Sequence, residues 1–238
     1  MMNILTNVII LLLAVGLILK IGKYLVAFVW CSYQRRRPIP QDAPKAVPKE
    51  KKRLSAAAKL KQGVTGFFDG CTRYAMTKAG RIPSFKIRKF LYKTVFRMKI
   101  AKGAIIYAQC EFRSPWYITI GKCTIGPQTV LDGRRGLVLG DYACTGNGAK
   151  IWTLQHDVQD PMFSAVGGKV EIGEYAWVAS HATVLPGRKV GKGAVIASGS
   201  IVTKDAEPYG LYAGIPAVKK GERNKELKYT LDADIWFV

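Results

Sequence analysis

Histidine is almost absent from this chain, which has two histidines in 238 residues. The five cysteines are odd in number and widely spaced, and no two form a Cys-x-x-Cys pair. This spacing suggests neither a zinc ribbon nor a disulfide framework, so we expect reduced thiols in a cytoplasmic setting. A zinc site made of three histidines cannot be assembled from two in one chain. We therefore expect no metal.

Acidic residues are scarce in the N-terminal part of the sequence. Residues 1–100 carry 21 lysines and arginines against 3 aspartates and glutamates, so they hold +18 of the net charge of +21. Such a basic region could meet nucleic acid, acidic glycans or an anionic membrane surface. The apolar segment beside it favours the membrane, and we expect no nucleic-acid partner.

No basic residue precedes the apolar run from Met2 to Leu19, whereas arginines and lysines are frequent from Arg35 onward. Eighteen helical residues span about 27 Å, roughly the thickness of the hydrocarbon core of a bilayer. We predict a single-pass anchor in the inner (cytoplasmic) membrane over residues 1–33, with the rest of the chain in the cytoplasm. A helix lying flat in the membrane interface is an alternative. A cleaved signal peptide is another, although the basic start and the Ala-x-Ala-like cleavage site are both missing.

Two segments are expected between the anchor and the C-terminal half. Residues 34–54 are rich in proline and lysine and are predicted to form an extended tether with little packing. Residues 55–101 have a helical pattern that glycines and Gly80–Pro83 interrupt. In the last helix the apolar face is Ile87, Phe90, Leu91, Val95 and Met98, and the basic face is Lys86, Lys89, Lys93 and Arg97. The helix could cap the first coil of the following domain, lie on anionic lipid, or do both.

A repeat with a period of six residues organises the C-terminal half. Branched aliphatic residues recur at Ile172, Val178, Val184, Val190, Ile196 and Val202. Neither a helix nor an alternating strand has this period, but a β-helix with one strand and one corner per hexad does. The same spacing joins Leu139, Thr145 and Ile151. We therefore predict a mainly β fold, a parallel β-helix of hexapeptide repeats, over residues 102–218, followed by a tail at 219–238.

The repeat is interrupted between Ile151 and Ile172, so residues 154–168 are predicted to leave the regular coil. A loop that projects from a rigid solenoid is a typical place for functional residues. His156 and Asp157 lie within it. Imidazole is suited to general-base catalysis because its pKa lies near the working pH, and either Asp157 or a backbone carbonyl could hold its tautomer.

Several stretches resemble the hexapeptide-repeat acyltransferases with a left-handed parallel β-helix, which include maltose, galactoside, and colanic-acid or capsule acetyltransferases. The similar stretches cover roughly residues 102–230. They include Arg113–Trp116, Leu131–Gly133, Leu154–Asp157, Ala176–Ser180, Val184–Gly187, Val190–Ala194, Val202–Asp205 and Tyr212–Ala217.

The resemblance implies a homotrimer that binds acetyl-CoA as co-substrate between neighbouring subunits and acetylates a hydroxyl group. It implies that His156 is the general base. The residues matching the cofactor groove are Trp177, Ser180, Ser198, Thr203, Lys204 and Lys219, and we expect the first four on one edge of the coil. Val218 stands where many members have a basic residue. Apart from the resemblance, the charged turn formed by Asp132, Arg134 and Arg135 is a candidate contact for the acceptor sugar, or a solvated corner.

Together these features predict a membrane-anchored O-acetyltransferase that acts on a sugar hydroxyl of a polysaccharide or lipid-linked glycan precursor. Two alternatives stay open. One is an N-acyltransferase or longer-chain acyltransferase of the same fold, and the other is a non-catalytic β-helix scaffold in a glycan-assembly complex.

Overall fold

A computed structural model describes residues 2–42 and 55–231. Three helices come first: α1 (Met2–Arg35), α2 (Ala56–Gly80) and α3 (Phe85–Thr94). Serines cap the last two, since the Oγ of Ser55 accepts from the backbone N–H of Ala58 and the Oγ of Ser84 from that of Ile87. Serine at this position satisfies a backbone N–H that has no partner within the helix.

Helix α2 is longer than the sequence pattern predicted. Gly63, Gly66 and Gly70 do not interrupt it, and no atom lies within 4 Å of a Cβ added at any of them. A glycine costs a helix about 1 kcal/mol relative to alanine, which tertiary packing can offset. Ala75, Met76 and Ala79 supply such packing because all three are buried. The predicted break at 80–83 is confirmed, since α2 ends at Gly80.

Short strands make up the rest of the described chain, joined by turns and by a 3-10 helix at Pro115–Tyr117. In chain order they are β1 (Lys99–Ile100), β2 (Ile105–Ile106), β3 (Glu111–Arg113), β4 (Ile118–Ile120), β5 (Thr124–Ile125), β6 (Val130–Asp132), β7 (Leu137–Leu139), β8 (Cys144–Thr145), β9 (Lys150–Ile151), β10 (Leu154–His156), β11 (Ala165–Gly167), β12 (Val170–Ile172), β13 (Trp177–Val178), β14 (Thr183–Val184), β15 (Lys189–Val190), β16 (Val195–Ile196), β17 (Ile201–Val202), β18 (Gly210–Ala213) and β19 (Val218–Glu222).

The strands stack into a three-sided solenoid. Its sheets have the orders β1-β4-β7-β12-β15, β2-β5-β8-β13-β16-β18-β19 and β3-β6-β9-β14-β17, and we call them the first, second and third faces. Pairing within the faces is parallel, except that β19 runs antiparallel to β18. One coil contributes a strand to each face in turn. The predicted parallel β-helix is confirmed.

The six-residue repeat fills the interior of this solenoid. All six aliphatic residues from Ile172 to Val202 are at most 2% exposed. The small residues Ala176, Ala182 and Ala194 are fully buried, and Ile172 lies beside Val190, eighteen residues later. Three hexads therefore complete one coil, and the aliphatic side chains of successive coils form a continuous apolar column.

Helix α3 caps the first coil with only part of the face that the sequence suggested, since Leu91, Val95 and, beyond the end of the helix, Met98 pack against the core. Its buried residues are Phe85, Arg88 and Tyr92, whereas Ile87 and Phe90 are exposed. The Arg88 guanidinium is fully buried and donates to the backbone oxygens of Ile82, Pro83 and Ile106. A buried cation is tolerated where carbonyl oxygens accept its N–H groups, so this arginine ties the helix to β2.

Two residues of the predicted basic face also take part in docking, although Arg97 lies beyond the end of α3. The Lys89 ammonium donates to the Ala104 oxygen at 2.7 Å. The Arg97 guanidinium lies 4.5 Å from the Phe28 ring centroid and donates to the Ser32 hydroxyl of α1. Two residues expected to face solvent or lipid therefore hold protein elements together.

Helix α1 packs through its C-terminal half. Ala27 and Cys31 are fully buried, and the Trp30 ring stacks on Phe68 of α2 with centroids 5.2 Å apart. The Trp30 indole N–H also donates to Asp69 at 2.7 Å. Exposed apolar side chains occupy most of the preceding turns, from Val8 to Ile18.

The first part of the predicted tether is packed, contrary to expectation. The Tyr117 hydroxyl donates to the Pro38 oxygen, and the Ile39 side chain lies against Gly136. Asp42 then contacts Arg135 of the solenoid. The rest of the predicted tether, 43–54, and the end of the predicted tail, 232–238, lie outside the described residues.

Candidate active site

An antiparallel hairpin projects from the otherwise parallel solenoid. Strands β10 and β11 pair Leu154 with Gly167 and His156 with Ala165. The hairpin follows β9 and returns to the coil at β12, as the interrupted repeat predicted. A Cβ on Gly167 would collide with the Thr153 carbonyl oxygen, so the return strand needs glycine at this close approach.

His156 is exposed, and the hairpin fixes the orientation of its ring. Its Nδ1 lies 2.7 Å from the Phe163 carbonyl oxygen, and the two rings stack with centroids 4.2 Å apart at 3°. A carbonyl oxygen can only accept a hydrogen bond, so Nδ1 is the protonated nitrogen of the neutral ring. The lone pair then lies on Nε2, which is the arrangement that a general base requires.

The turn of the hairpin is held by aspartate side chains. The Asp157 carboxylate accepts from the Gln159 N–H at 3.0 Å, and the Asp160 carboxylate accepts from the N–H groups of Met162 and Ser164. Of the two groups considered for holding the His156 tautomer, the carbonyl of Phe163 occupies that position. Asp157 instead shapes the turn that presents the carbonyl.

Asp132 lies beneath the hairpin and is fully buried, so it is not a solvated corner. Its carboxylate accepts two hydrogen bonds from the Arg134 guanidinium, each 2.9 Å long, and one from the Thr153 backbone N–H at 3.1 Å. The Arg134 guanidinium also donates to the Leu154 oxygen at 3.4 Å. This cluster fixes the first residues of the hairpin.

The chain that follows α1 reaches the same place. One Asp42 oxygen accepts from Arg135 at 2.8 Å, and the other accepts from the Gly167 N–H in β11. The Arg135 backbone N–H donates in turn to the Thr153 hydroxyl. The sequence pointed to Arg135 only as part of the charged turn with Asp132 and Arg134, and it did not point to Asp42. The available signal was that Asp42 is one of three acidic residues within residues 1–100.

The residues predicted to bind the cofactor divide between two edges of the solenoid. Trp177 lies on the second face and is 44% exposed, and Ser180 and Ser198 stack at the corner that follows this face. Thr203 and Lys204 are exposed and lie beyond β17, at the corner between the third and first faces. The hairpin also leaves the solenoid at the corner between the third and first faces. The expectation that Trp177, Ser180, Ser198 and Thr203 share one edge is therefore wrong.

Two further candidates differ in their surroundings. Lys219 in β19 makes ion pairs with Glu207 at 2.9 Å and Glu222 at 3.3 Å, and these carboxylates raise its pKa. His181, the other histidine, is exposed at a corner where its φ of 58° repeats the left-handed backbone of Gly148 below it. Within residues 2–42 and 55–231, no three His, Cys, Asp or Glu side chains are grouped so that they could hold a metal ion.

Comparisons of sequence give partial matches to acetyltransferases. A chloramphenicol acetyltransferase from Klebsiella aerogenes is 33% identical over 123 residues, which cover 42% of this chain and 59% of that protein. A putative colanic acid biosynthesis acetyltransferase, WcaF, from Escherichia coli strain K12 is 28% identical over 140 residues, covering 58% and 76%. No family model matches the chain. The match to the chloramphenicol acetyltransferase spans less than two thirds of that protein's length.

Comparison of structures gives the same fold. A hexapeptide-repeat-containing acetyltransferase from Vibrio cholerae, VCA0836, matches with a TM-score of 0.59 at 18% identity, covering 72% of this chain and 95% of that one. VCA0836 complexed with acetyl coenzyme A, from Vibrio cholerae O1 biovar eltor, matches with a TM-score of 0.55 at 18% identity, covering 72% and 91%. The resemblance predicted from the sequence is confirmed.

Proposed function

We propose that this chain, a relative of the hexapeptide-repeat acyltransferases, is a membrane-anchored enzyme that transfers an acetyl group from acetyl-CoA to a sugar hydroxyl of a glycan precursor. The observation that carries the proposal is the orientation of His156. Its Nδ1–H is committed to the Phe163 carbonyl, so Nε2 is available to accept a proton.

The reaction needs only one general base. Nε2 of His156 takes the proton of the acceptor hydroxyl as its oxygen attacks the thioester carbonyl, and a tetrahedral oxyanion forms. Backbone N–H groups of a neighbouring coil are suited to stabilise that oxyanion. When the intermediate collapses, the carbon–sulfur bond breaks and the thiolate of CoA takes the proton from the imidazolium. No covalent enzyme intermediate is required.

The division of the predicted groove between two edges supports a homotrimer. Trp177, Ser180 and Ser198 lie at one corner of the prism, and the hairpin, Thr203 and Lys204 lie at another. The two sets of residues come together when the corner of one chain that carries Trp177 faces the corner of a second copy that carries the hairpin. A ring of three copies of a three-sided prism repeats this contact with closed symmetry.

The membrane assignment rests on α1 and on the charge that follows it. Residues Thr6–Arg35 form a helix long and apolar enough to cross a bilayer, and two further arginines follow Arg35 directly. Helix α2 adds an exposed apolar stripe at helical spacing, formed by Leu60, Val64, Phe67 and Tyr74. The arginines favour a cytoplasmic position for the solenoid, where acetyl-CoA is available.

His156→Ala tests the chemistry, with His181→Ala as the matched control. We expect His156→Ala to keep the oligomeric state of the wild type and to lose transfer by at least about 100-fold, the usual contribution of a general base. His181→Ala should retain activity. The assay follows product mass over a panel of hydroxy sugars, amino sugars and chloramphenicol, so it also separates O-transfer from N-transfer. Wild-type turnover by His156→Ala would contradict the mechanism.

Two further measurements test the remaining parts of the proposal. Titration of the full chain with acetyl-CoA by calorimetry should give binding, which a non-catalytic scaffold would not. A reporter fused to the C-terminus should lie in the cytoplasm. A reporter on the opposite side of the membrane would remove access to acetyl-CoA and contradict the proposal.

A further inference from the structure

The exposed apolar residues of α2 form a narrow stripe with a regular spacing. Leu60, Val64, Phe67 and Tyr74 are 71%, 44%, 65% and 56% exposed, and Cys71, which is partly exposed, lies between the last two. Successive members of the stripe are four, three, four and three residues apart. This alternation keeps the apolar residues on a single side of the helix, as at positions a and d of a coiled coil.

The first two thirds of α2 have little packing of their own. The buried residues of this helix all lie between Thr72 and Gly80, so none lies in residues 56–71. That part of the helix also contains three glycines, each of which costs about 1 kcal/mol relative to alanine. Helices in proteins are stabilised mainly by the packing of an apolar face. We therefore expect the stripe to be covered by a surface beyond the described residues.

The stripe is turned away from the solenoid of its own chain. Thr72 and Met76 line the cavity between α2 and the end of β3. Consecutive residues of a helix are about 100° apart, so Tyr74 lies opposite both of them. Phe67 is nine residues before Met76 and lies opposite it for the same reason. The solenoid of the same chain is therefore on the wrong side of α2 to cover the stripe.

The place of α2 on the solenoid indicates which surface covers the stripe. Helix α2 packs against β3, the first strand of the third face in chain order. This face lies between the two corners that meet neighbouring copies in the proposed trimer. When three prisms join through these two corners, the face between them is turned toward the threefold axis. The stripes of the three copies then converge on that axis.

The width of the stripe favours a protein surface over lipid. A helix that lies on a bilayer presents a broad apolar face, whereas the seam of a coiled coil is narrow. Lys59, Lys61 and Gln62 are exposed on the turn that carries Leu60, so the apolar surface there is one side chain wide. The membrane contact is thus assigned to α1, and the stripe of α2 to a contact between copies.

We propose that the α2 helices of three copies pack in parallel around the threefold axis, with residues 60–74 as the seam. The inference rests on the proposed homotrimer. The seam is too short to hold free chains together, because isolated helices of this length are marginally stable. Contacts between the solenoids bring the helices to a high effective concentration, so the seam adds stability to the same assembly.

Cys71 tests the seam without any substitution. Its thiols from different copies lie near one another around the axis, so mild oxidation of the full chain in detergent should link two copies through a disulfide. Cys71→Ser should lose the link. Cys144→Ser, which removes the other partly exposed cysteine, should keep it. The yield should stay constant over about a tenfold dilution, because the thiols meet within one assembly. Absence of the link, or its persistence in Cys71→Ser, would overturn the proposal.

Phe67→Glu tests how much the seam contributes to assembly. Three carboxylates at one level of the seam repel one another and replace an apolar contact. The concentration at which half of the assembly dissociates should therefore rise by at least about tenfold. Gln62→Glu is the matched control, because Gln62 is exposed on the same helix and lies opposite Leu60 and Val64. Analytical ultracentrifugation in detergent measures both variants. Equal dissociation of Phe67→Glu and the wild type would contradict the seam.

These measurements are independent of the proposed reaction. His156→Ala should form the Cys71 link and dissociate like the wild type, whether or not acetyl transfer is observed. A stripe that contacts lipid would give no link and would leave the dissociation of Phe67→Glu unchanged. A monomeric wild type would contradict the proposed homotrimer, whereas a trimer that does not form the link would contradict the seam alone.

Discussion

Phe163 contacts His156 in two ways at once. Its ring lies parallel to the imidazole at 4.2 Å, and its carbonyl oxygen lies 2.7 Å from Nδ1. Phe163 adopts a positive φ of 50°, which is uncommon for an aromatic residue. The turn is closed by the Phe163 N–H, which donates to the Asp160 oxygen at 2.8 Å. One residue therefore restricts both the rotation and the tautomer of the proposed base.

Phe163→Leu should reduce kcat by about tenfold and leave the KM for acetyl-CoA nearly unchanged. The carbonyl remains, but the imidazole loses the aromatic surface that limits its rotation, and small errors in orientation are costly in catalysis. Phe163→Tyr keeps the ring and serves as the control. Steady-state kinetics on both variants measure the effect, and an unchanged kcat in Phe163→Leu would show that the stack has no role.

Asp42→Asn should lower kcat several-fold without unfolding the solenoid. The carboxylate holds both Arg135 and the Gly167 N–H, and its ion pair is largely shielded because the Arg135 side chain is 13% exposed. Loss of one partner loosens the return strand of the hairpin. Arg135→Gln should have a similar effect, and the double variant should be no worse than either single one. Additive losses would mean that the two residues act independently.

Two glycine substitutions should change stability in opposite directions. A Cβ on Gly126 would lie 2.6 Å from the Thr145 carbonyl oxygen in the next coil, so Gly126→Ala should destabilise the solenoid by about 2–4 kcal/mol. Gly63→Ala in α2 meets no atom within 4 Å and should stabilise by up to about 1 kcal/mol. Urea unfolding followed by circular dichroism measures both. A stable Gly126→Ala would contradict the observed packing of adjacent coils.

Stability should fall as the pH rises above about 9. Burial raises the pKa of Cys110 and of Cys123 to about 12 each. An unfolded chain releases these protons above about pH 8.5, whereas the folded chain keeps them, so in this range the unfolded state binds fewer protons. Each thiol then lowers the free energy of unfolding by about 1.4 kcal/mol per pH unit until about pH 12.

Cys123→Ala isolates this effect. The difference in free energy of unfolding between the wild type and the variant should be constant from pH 6 to 8 and should shrink above pH 9. Comparing the two proteins cancels the titration of the lysines and tyrosines that they share. A difference that stays constant up to pH 11 would contradict the assignment.

The period of six was sufficient to predict the solenoid, its interior residues and the position of the hairpin. The period also predicts which residues share an edge of the solenoid, because residues eighteen positions apart stack in successive coils. Ser180 and Ser198 obey this relation, but Thr203 does not. The resemblance to a cofactor-binding pattern grouped Thr203 with the two serines. Such a pattern does not show whether two residues lie on the same edge of one subunit or on edges of neighbouring subunits.

The helical region was less predictable because its pattern allowed more than one buried face. Apolar side chains suggested that Ile87 and Phe90 face the protein, yet Arg88 is the side chain that is buried, and it is satisfied by three backbone oxygens. Those acceptors come from a turn and from β2. A contact of this kind depends on tertiary structure and leaves no periodic signal. The contact between Asp42 and the hairpin was unpredictable for the same reason.

The stacking of the coils determines the distance between the N-terminal helices and the hairpin. The helices cap the solenoid before β1, and the hairpin follows β9, which is the third strand of its face. Because adjacent strands lie about 4.8 Å apart, inserting one whole coil before the hairpin would move His156 by about 5 Å and leave each corner unchanged. The number of coils before the hairpin thus sets, in fixed increments of one strand spacing, the distance between the capping helices and His156.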